Sequence, residues 1–196
     1  MSNRNSSNTN SGIRKLVFTA LVMAMILVAT SLFRIPVPMT QGYVHLGDAV
    51  IFLGVLLLGK RNGALAAGLG SAMGDVLGGY AFFAPCTFIV KFLMAFVCGL
   101  IIEKFLGKNE NSIEGPEKSV SGGKRRAVEM AAMTAGGLVM VAGYFLGEIP
   151  IYGNMGTALA EIPWNIGQFL TGEVVAMLIA ISLSRTPARK YFSFPL

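Results

Sequence analysis

The sequence predicts an all-α integral membrane protein of six transmembrane helices with both termini in the cytoplasm. Three observations carry that expectation. First, the chain is 54% hydrophobic and only 13% charged, whereas soluble domains average about a quarter charged residues. Second, its apolar residues fall into runs of membrane length. A hydrocarbon core of about 30 Å takes about 20 residues per helix, so the chain has room for about five to seven spans. Third, the basic residues gather in alternate connections. Arg4, Arg14 and Lys15 precede the first span, and Lys60 and Arg61 join the second and third. Lys104, Lys108, Lys118, Lys124, Arg125 and Arg126 join the fourth and fifth, and Arg185, Arg189 and Lys190 end the chain. Every Lys and Arg except Arg34 and Lys91 thus falls on one side, which the positive-inside rule assigns to the cytoplasm.

Residues 1–12 are polar and predict a disordered cytoplasmic tail. Arg14-Lys15 then introduces the apolar run Leu16–Phe33. A cleavable signal ending near Ala29-Thr30-Ser31 is an alternative, but its removal would spoil the charge alternation, so a first span is expected. Two prolines at alternate positions, Pro36 and Pro38, block helix between Arg34 and His45 and predict an irregular outer loop. Leu46–Leu58 is a short second span with Asp48 in its first turn, where a carboxylate suits the helix dipole. Gly59-Lys60-Arg61-Asn62-Gly63 is a tight turn, and Ala64–Tyr80 a third span containing Asp75. After a break at Pro85, Cys86–Ile102 is a fourth span carrying Lys91. Residues 107–126 are hydrophilic and glycine-punctuated and read as a flexible cytoplasmic linker. Ala127–Leu146 and Ile162–Leu183 complete the set. A single membrane domain therefore covers residues 13–185, with 186–196 a cytoplasmic tail. No separate soluble domain fits, and 24 glycines suit close helix packing in lipid.

Several function classes fall away. The net charge of +6 is spread over short connections rather than one stripe, so it reads as topology and not as nucleic-acid binding. Cys86 and Cys98 lie about 18 Å apart along one helix, too far for a disulfide. Gly68-Leu69-Gly70-Ser71 superficially suggests an intramembrane serine nucleophile. Such a serine needs a base within reach, and the single histidine, His45, is in the outer loop. No phosphate-binding Gly-x-x-x-x-Gly-Lys-Ser/Thr segment occurs, so the chain has no ATPase of its own. No metal cluster, cofactor site or catalytic residue is expected.

The polar residues inside spans are costly in lipid and point to a partner, a cavity or a ligand. The most informative stretch runs from Gly147 to Glu173, across a connection punctuated by Pro and Gly and into the sixth span. There Glu161, Trp164, Asn165, Gln168 and Gly172 recur at three- and four-residue spacing and share one helix face. Tyr144 and Glu148 lie one turn apart at the end of the fifth span. Together they read as the wall of an outward-facing pocket for a small polar molecule, although Trp164 and Tyr144 also suit an interfacial aromatic belt. Asp75 and Lys91 fall at similar depth and form either a structural ion pair or ligand contacts. Glu173, near mid-membrane, is expected to be paired or to lie on a proton path. Ala20 and Ala24 give the first span a small-x-x-x-small face for packing within the protein or against a partner helix.

Several segments in this order resemble a known family. They are Val44-His45-Leu46-Gly47-Asp48-Ala49, Gly68-Leu69-Gly70-Ser71, Ile89-Val90-Lys91, and Ala158 to Gln168 with Pro163-Trp164-Asn165 at its centre. Over residues 13–185 the chain resembles the substrate-binding S components of energy-coupling factor (ECF) vitamin transporters, nearest the hydroxymethylpyrimidine, pyridoxine and riboflavin branch. The resemblance implies a bacterial-type plasma-membrane protein that captures a water-soluble vitamin or precursor from outside. It implies partners as well: a transmembrane T component and two cytoplasmic ATPases, with Ala20 and Ala24 as the docking motif. By position, Tyr43 and His45 would belong to the gating loop, and Lys91, Tyr144, Glu148, Trp164, Asn165 and Gln168 to the pocket. The long linker departs from the compact connection expected there. An autonomous proton-coupled carrier using Asp75, Lys91 or Glu173, and a purely structural membrane subunit, are the alternatives that the residues leave open.

Overall fold

The computed structural model describes residues 2–32, 34–38, 40, 42–107 and 121–187. In chain order it has helix α1 (Ser2–Leu32), strands β1 (Ile35–Pro36) and β2 (Tyr43–Val44), and helices α2 (Gly47–Leu77), α3 (Ala84–Leu106), α4 (Gly122–Tyr152) and α5 (Met155–Ser184). The protein is all-helical apart from the two short strands. Among the described residues, five helices are long and apolar enough to cross a membrane.

The difference from the expected six lies in α2, which takes in both the second and the third predicted spans. Gly59 interrupts it at φ 77°, ψ 177°, a conformation essentially restricted to glycine. A Cβ on Gly63 would come within 2.9 Å of Val55 Cα, whereas positions eight apart on one continuous helix are separated by about 12 Å. The chain therefore doubles back at Gly59, and the arm 47–58 packs against the arm 60–77. The turn expected over Gly59–Gly63 is present, but it is confined to one residue.

Other boundaries also move. Helix α1 starts at Ser2, so it continues through the polar residues that composition assigns to a disordered tail; extending a helix is far easier than nucleating one. Helix α4 starts at Gly122 and takes in the last residues of the predicted linker. The rest of that linker (108–120) and residues 188–196 of the predicted tail lie outside the described residues. The outer loop is not irregular: β1 and β2 pair antiparallel, with Ile35 opposite Val44 and Pro36 opposite Tyr43. The connection between the last two helices shrinks to Gly153 and Asn154. Gly153 takes a left-handed conformation (φ 63°), and Asn154 Oδ1 accepts from the Gly156 N–H at 2.7 Å to cap α5. Pro150 and Pro163 both sit inside helices.

Packing follows from the pattern of small and large residues. Helix α2 contacts α1, α3 and α5, while α4 joins α3 to α5. Ile26, Phe52, Leu56, Met94, Ile102, Met133 and Met140 are buried between them. The opposite faces expose Leu69, Leu93, Leu138 and Leu178, as expected of helices bathed in lipid. A Cβ on Gly172 would meet the backbone N of Ala49 at 3.0 Å, so glycine lets α5 press onto the first turn of α2. Helix α1 buries Val22, Ile26 and Thr30 but leaves Leu21, Met25 and Val28 exposed. Ala20 and Ala24 are on the same uncovered side.

Candidate functional site

The polar face of α5 meets the β1–β2 hairpin at one end of the bundle, and a cleft opens between them. Its enclosed part is small, about 30 Å³, and with the open mouth the space spans about 400 Å³. Glu161, Asn165 and Gln168 of α5 form one wall, at the i, i+4, i+7 spacing of a single helix face. Tyr144 and Glu148 of α4 stand beside them. Asp75 of α2, Phe83 and Thr87 at the start of α3, and Gly42, Tyr43 and His45 of the hairpin segment close the remaining sides.

The hairpin is strapped down by aromatic and charged contacts. The Tyr43 hydroxyl donates to Asp75 Oδ1, and its ring lies 4.6 Å from that of Tyr80 and 5.6 Å from that of His45. Arg34 caps this stack, 5.0 Å from the Tyr43 ring centre, and donates to the carbonyls of Thr30 at 3.2 Å and Gly74 at 2.6 Å. Burial, and then the Asp75 charge, push the Tyr43 phenol well above its ordinary range, so it stays protonated and donating. Gly42 comes so close to the Glu161 carboxylate that a Cβ there would overlap it.

His45 ties the cleft to a buried charge pair. Its Nδ1 accepts from the Gly47 N–H at 3.0 Å, which assigns the ring proton to Nε2. Burial, and then the nearby Lys91 ammonium, lower its pKa to about 3, so the imidazole is neutral. The His45 backbone N–H donates to Gln168 Oε1 at 2.9 Å, and Gln168 Nε2 donates to Asp48 Oδ2 at 2.8 Å. Asp48 Oδ1 in turn holds Lys91 Nζ at 2.5 Å, with neither side chain exposed. Tyr144 covers this pair, its ring centre 5.4 Å from Lys91 Nζ, and its hydroxyl donates to Thr87 Oγ1 at 3.4 Å.

Of the residues singled out by sequence, Tyr43, His45, Tyr144, Glu148, Asn165 and Gln168 line the cleft. Two do not. Lys91 is fully buried behind the Tyr144 ring and held by Asp48, so the expected pair with Asp75 gives way to one with Asp48. Trp164 is 41% exposed, because it is rotated by about 100° from Asn165, its neighbour in sequence on the helix. Glu173 accepts from Thr134 Oγ1 at 3.0 Å, in keeping with a paired role. Glu161, read as part of the same helix face, and Asp75, read as an ion-pair member or ligand contact, also line the cleft, and the structure adds Gly42, Phe83 and Thr87. Asp75 and Glu161 carried a signal as charged residues in apolar segments, and Thr87 lies one turn from Lys91; Phe83 carried none. Among the described residues no cluster of His, Cys, Asp and Glu is arranged to hold a metal, and both cysteines are free thiols.

Three comparisons place this arrangement among known proteins. Residues 10–185 match the family model of the ECF-type riboflavin transporter S component. An uncharacterized protein of Pyrococcus woesei is 32% identical over 148 residues, which cover 76% of this chain and 86% of that one. The thiamine precursor transporter HmpT of Lactococcus lactis subsp. cremoris is 28% identical over 178 residues, covering 90% and 92% of the two chains. A solved structure described as the S component of a bacterial ECF transporter superposes with a TM-score of 0.61 at 17% identity, over 88% of this chain and 96% of that one. The shared fold, the span of the family match and the polar cleft agree: this chain belongs to the ECF-type riboflavin transporter S component family, a family of transport proteins and not of enzymes.

Proposed function

We propose that the chain is the substrate-capture subunit of an ATP-driven importer, binding a water-soluble vitamin or vitamin precursor in the cleft between α5 and the β1–β2 hairpin. The observation that carries this reading is the convergence of buried polar side chains from separate elements on one cleft. Asn165 and Gln168 come from α5, Glu148 from α4, Asp75 from α2 and His45 from the loop. Polar groups in an apolar bundle are expensive unless they serve a ligand or each other.

The reading extends to topology. With the chain reversing at Gly59, the two arms of α2 bring the crossings to six and put both termini on the side of Lys60 and Arg61, the cytoplasmic side by the charge rule. The cleft then opens outward, in a bacterial-type plasma membrane. The exposed face of α1 around Ala20 and Ala24 would dock a transmembrane T component, and two cytoplasmic ATPases would supply the energy that this chain has no motif to harvest. A hydroxymethylpyrimidine- or pyridoxine-like ring is favoured: Tyr43, Phe83 and Tyr144 offer faces for a flat heterocycle, and Asn165, Gln168 and Thr87 offer hydrogen bonds.

A thermal-shift panel of water-soluble vitamins and precursors tests this on the purified full chain. A ligand that binds only the folded state adds about 4 kcal/mol at a thousandfold excess over Kd. A large shift with one heterocycle supports capture. No shift across the panel returns the advantage to a proton-coupled carrier or a structural subunit.

A further inference from the structure

The cleft is unusually rich in acceptors. Glu148 from α4, Glu161 from α5 and Asp75 from α2 all line it, exposed by only 5%, 3% and 3% respectively. No lysine or arginine lines it among the described residues. Lys91, the nearest buried cation, is held by Asp48, and Arg34 is engaged on the far side of Tyr43 with the Thr30 and Gly74 carbonyls. The acceptors are unevenly used. Glu161 Oε1 takes the Tyr152 hydroxyl at 3.2 Å, and Asp75 Oδ1 takes the Tyr43 hydroxyl. Glu148 Oε2 has no hydrogen-bond partner, and Asp75 Oδ2, beside Thr87, meets none in hydrogen-bond geometry. An acceptor buried without a partner is a standing cost that native proteins rarely carry without a reason.

Resting on the reading of this cleft as the cargo site, we infer that Glu148 and Asp75 select a neutral or cationic nitrogen heterocycle that presents N–H donors, such as an exocyclic amine, and reject ligands bearing a carboxylate or phosphate. The Glu148 and Asp75 oxygens accept from the ligand's N–H groups, while Asn165 supplies a donor to a ring nitrogen. A ligand carboxylate or phosphate would meet three acidic side chains and no cation lining the cleft, so its desolvation would go uncompensated. Sites that hydrogen-bond a particular group discriminate strongly against analogues lacking it, because their own buried polar atoms are then left unpaired.

The test uses the purified full chain and matched probes. They are 4-amino-5-hydroxymethyl-2-methylpyrimidine, its phosphate ester, the analogue with oxygen in place of the 4-amino group, pyridoxine, and pantothenate. The expected result is binding of the amino-pyrimidine or pyridoxine, with the phosphate ester and pantothenate weaker by about 100-fold or more. If the amino-pyrimidine binds, its oxygen analogue is weaker by a similar factor. A phosphate ester or pantothenate bound as tightly as the best neutral probe overturns the inference and leaves capture standing. Failure of every probe to bind overturns the inference, and capture then stands or falls with the wider vitamin panel.

Glu148→Gln adds a readout that a structural role would not give. Removing an unpartnered buried carboxylate should keep or raise the melting temperature of the ligand-free protein while weakening the best probe about 10-fold or more. A fall in melting temperature with unchanged affinity makes Glu148 structural and overturns its role. If Glu148→Gln fails to fold, Asp75→Asn gives the same contrast between affinity and stability.

Discussion

Lys91 Nζ lies 2.5 Å from Asp48 Oδ1, and neither side chain reaches solvent. The pair sits directly behind the cleft, tied to it by Gln168, which bridges Asp48 and the His45 backbone. Removing one member of a buried pair strands the other charge and costs about 3–5 kcal/mol, whereas replacing both with apolar residues of similar volume is often neutral. Lys91→Met and Asp48→Leu should therefore each lower the melting temperature sharply, and the double variant should recover most of the loss. A double-mutant cycle by thermal denaturation in detergent checks this. Additive losses would mean that the pair is not coupled.

How much of this was legible in the sequence depends on which contacts are local. The face formed by Glu161, Asn165 and Gln168 could be read from spacing alone, and the structure lines the cleft with it. The partner of Lys91 could not. Asp48 and Asp75 both sit in apolar segments at plausible depth. What decides between them is the reversal at Gly59 and the close approach of α5 at Gly172, which bring a residue 43 positions away into contact. Trp164 fails for the opposite reason. Its spacing is local, but a shift of one residue on a helix turns a side chain by about 100°, and the aromatic character that made it conspicuous suits a lipid-facing position equally well.

Acidification should weaken the fold through His45. Its pKa is lowered to about 3, first by burial and then by Lys91, against about 6.5 in the unfolded chain. Between those values the unfolded state binds a proton that the folded state does not. The stability contributed by the neutral imidazole is thus complete above pH 6.5 and is lost as pH falls towards 3, by up to about 1.4 kcal/mol per pH unit. His45→Asn keeps an acceptor for the Gly47 N–H and removes the titration. Melting temperatures from pH 7 to pH 4 should fall more steeply for the native chain than for this variant. Parallel curves would exclude His45 as the source.

Gly59, buried at the reversal of α2, should resist substitution. At φ 77° and ψ 177° any side chain is strained, at about 1–3 kcal/mol. Gly59→Ala should lose about that much stability in a reversible unfolding assay. Ala131→Gly, at an exposed position inside α4, should lose only about 1 kcal/mol from helix propensity. Equal small losses would mean that the reversal tolerates a side chain.

Helix α1 separates docking from binding. Ala20 and Ala24 are exposed on a helix whose buried side holds Val22 and Ile26, and neither lines the cleft. Ala20→Trp and Ala24→Trp should each leave ligand affinity within about twofold, since a bulky side chain on a lipid-facing surface displaces only lipid. Each should also abolish co-purification with a T component and its ATPases, because small residues are what allow two helices to approach closely. Retained assembly in both variants would move the docking surface off this face.

Trp164 and Asn165 make the sharpest neighbouring contrast. Asn165 is 6% exposed and lines the cleft, while Trp164 is 41% exposed and does not. If the cleft binds the cargo, Asn165→Ala removes a hydrogen-bonding group facing the ligand, and a lost bond to a neutral partner costs about 0.5–1.5 kcal/mol, or about 2- to 12-fold in Kd. Trp164→Phe keeps an aromatic ring at the lipid surface and should leave Kd unchanged. Titration calorimetry on the two variants reads the difference directly. Trp164 is also the single tryptophan of the chain, so its fluorescence in the native protein reports on this stretch of α5 during the same titrations. A larger loss of affinity in Trp164→Phe than in Asn165→Ala would place the ligand on the lipid side of α5 and refute the cleft as the binding site.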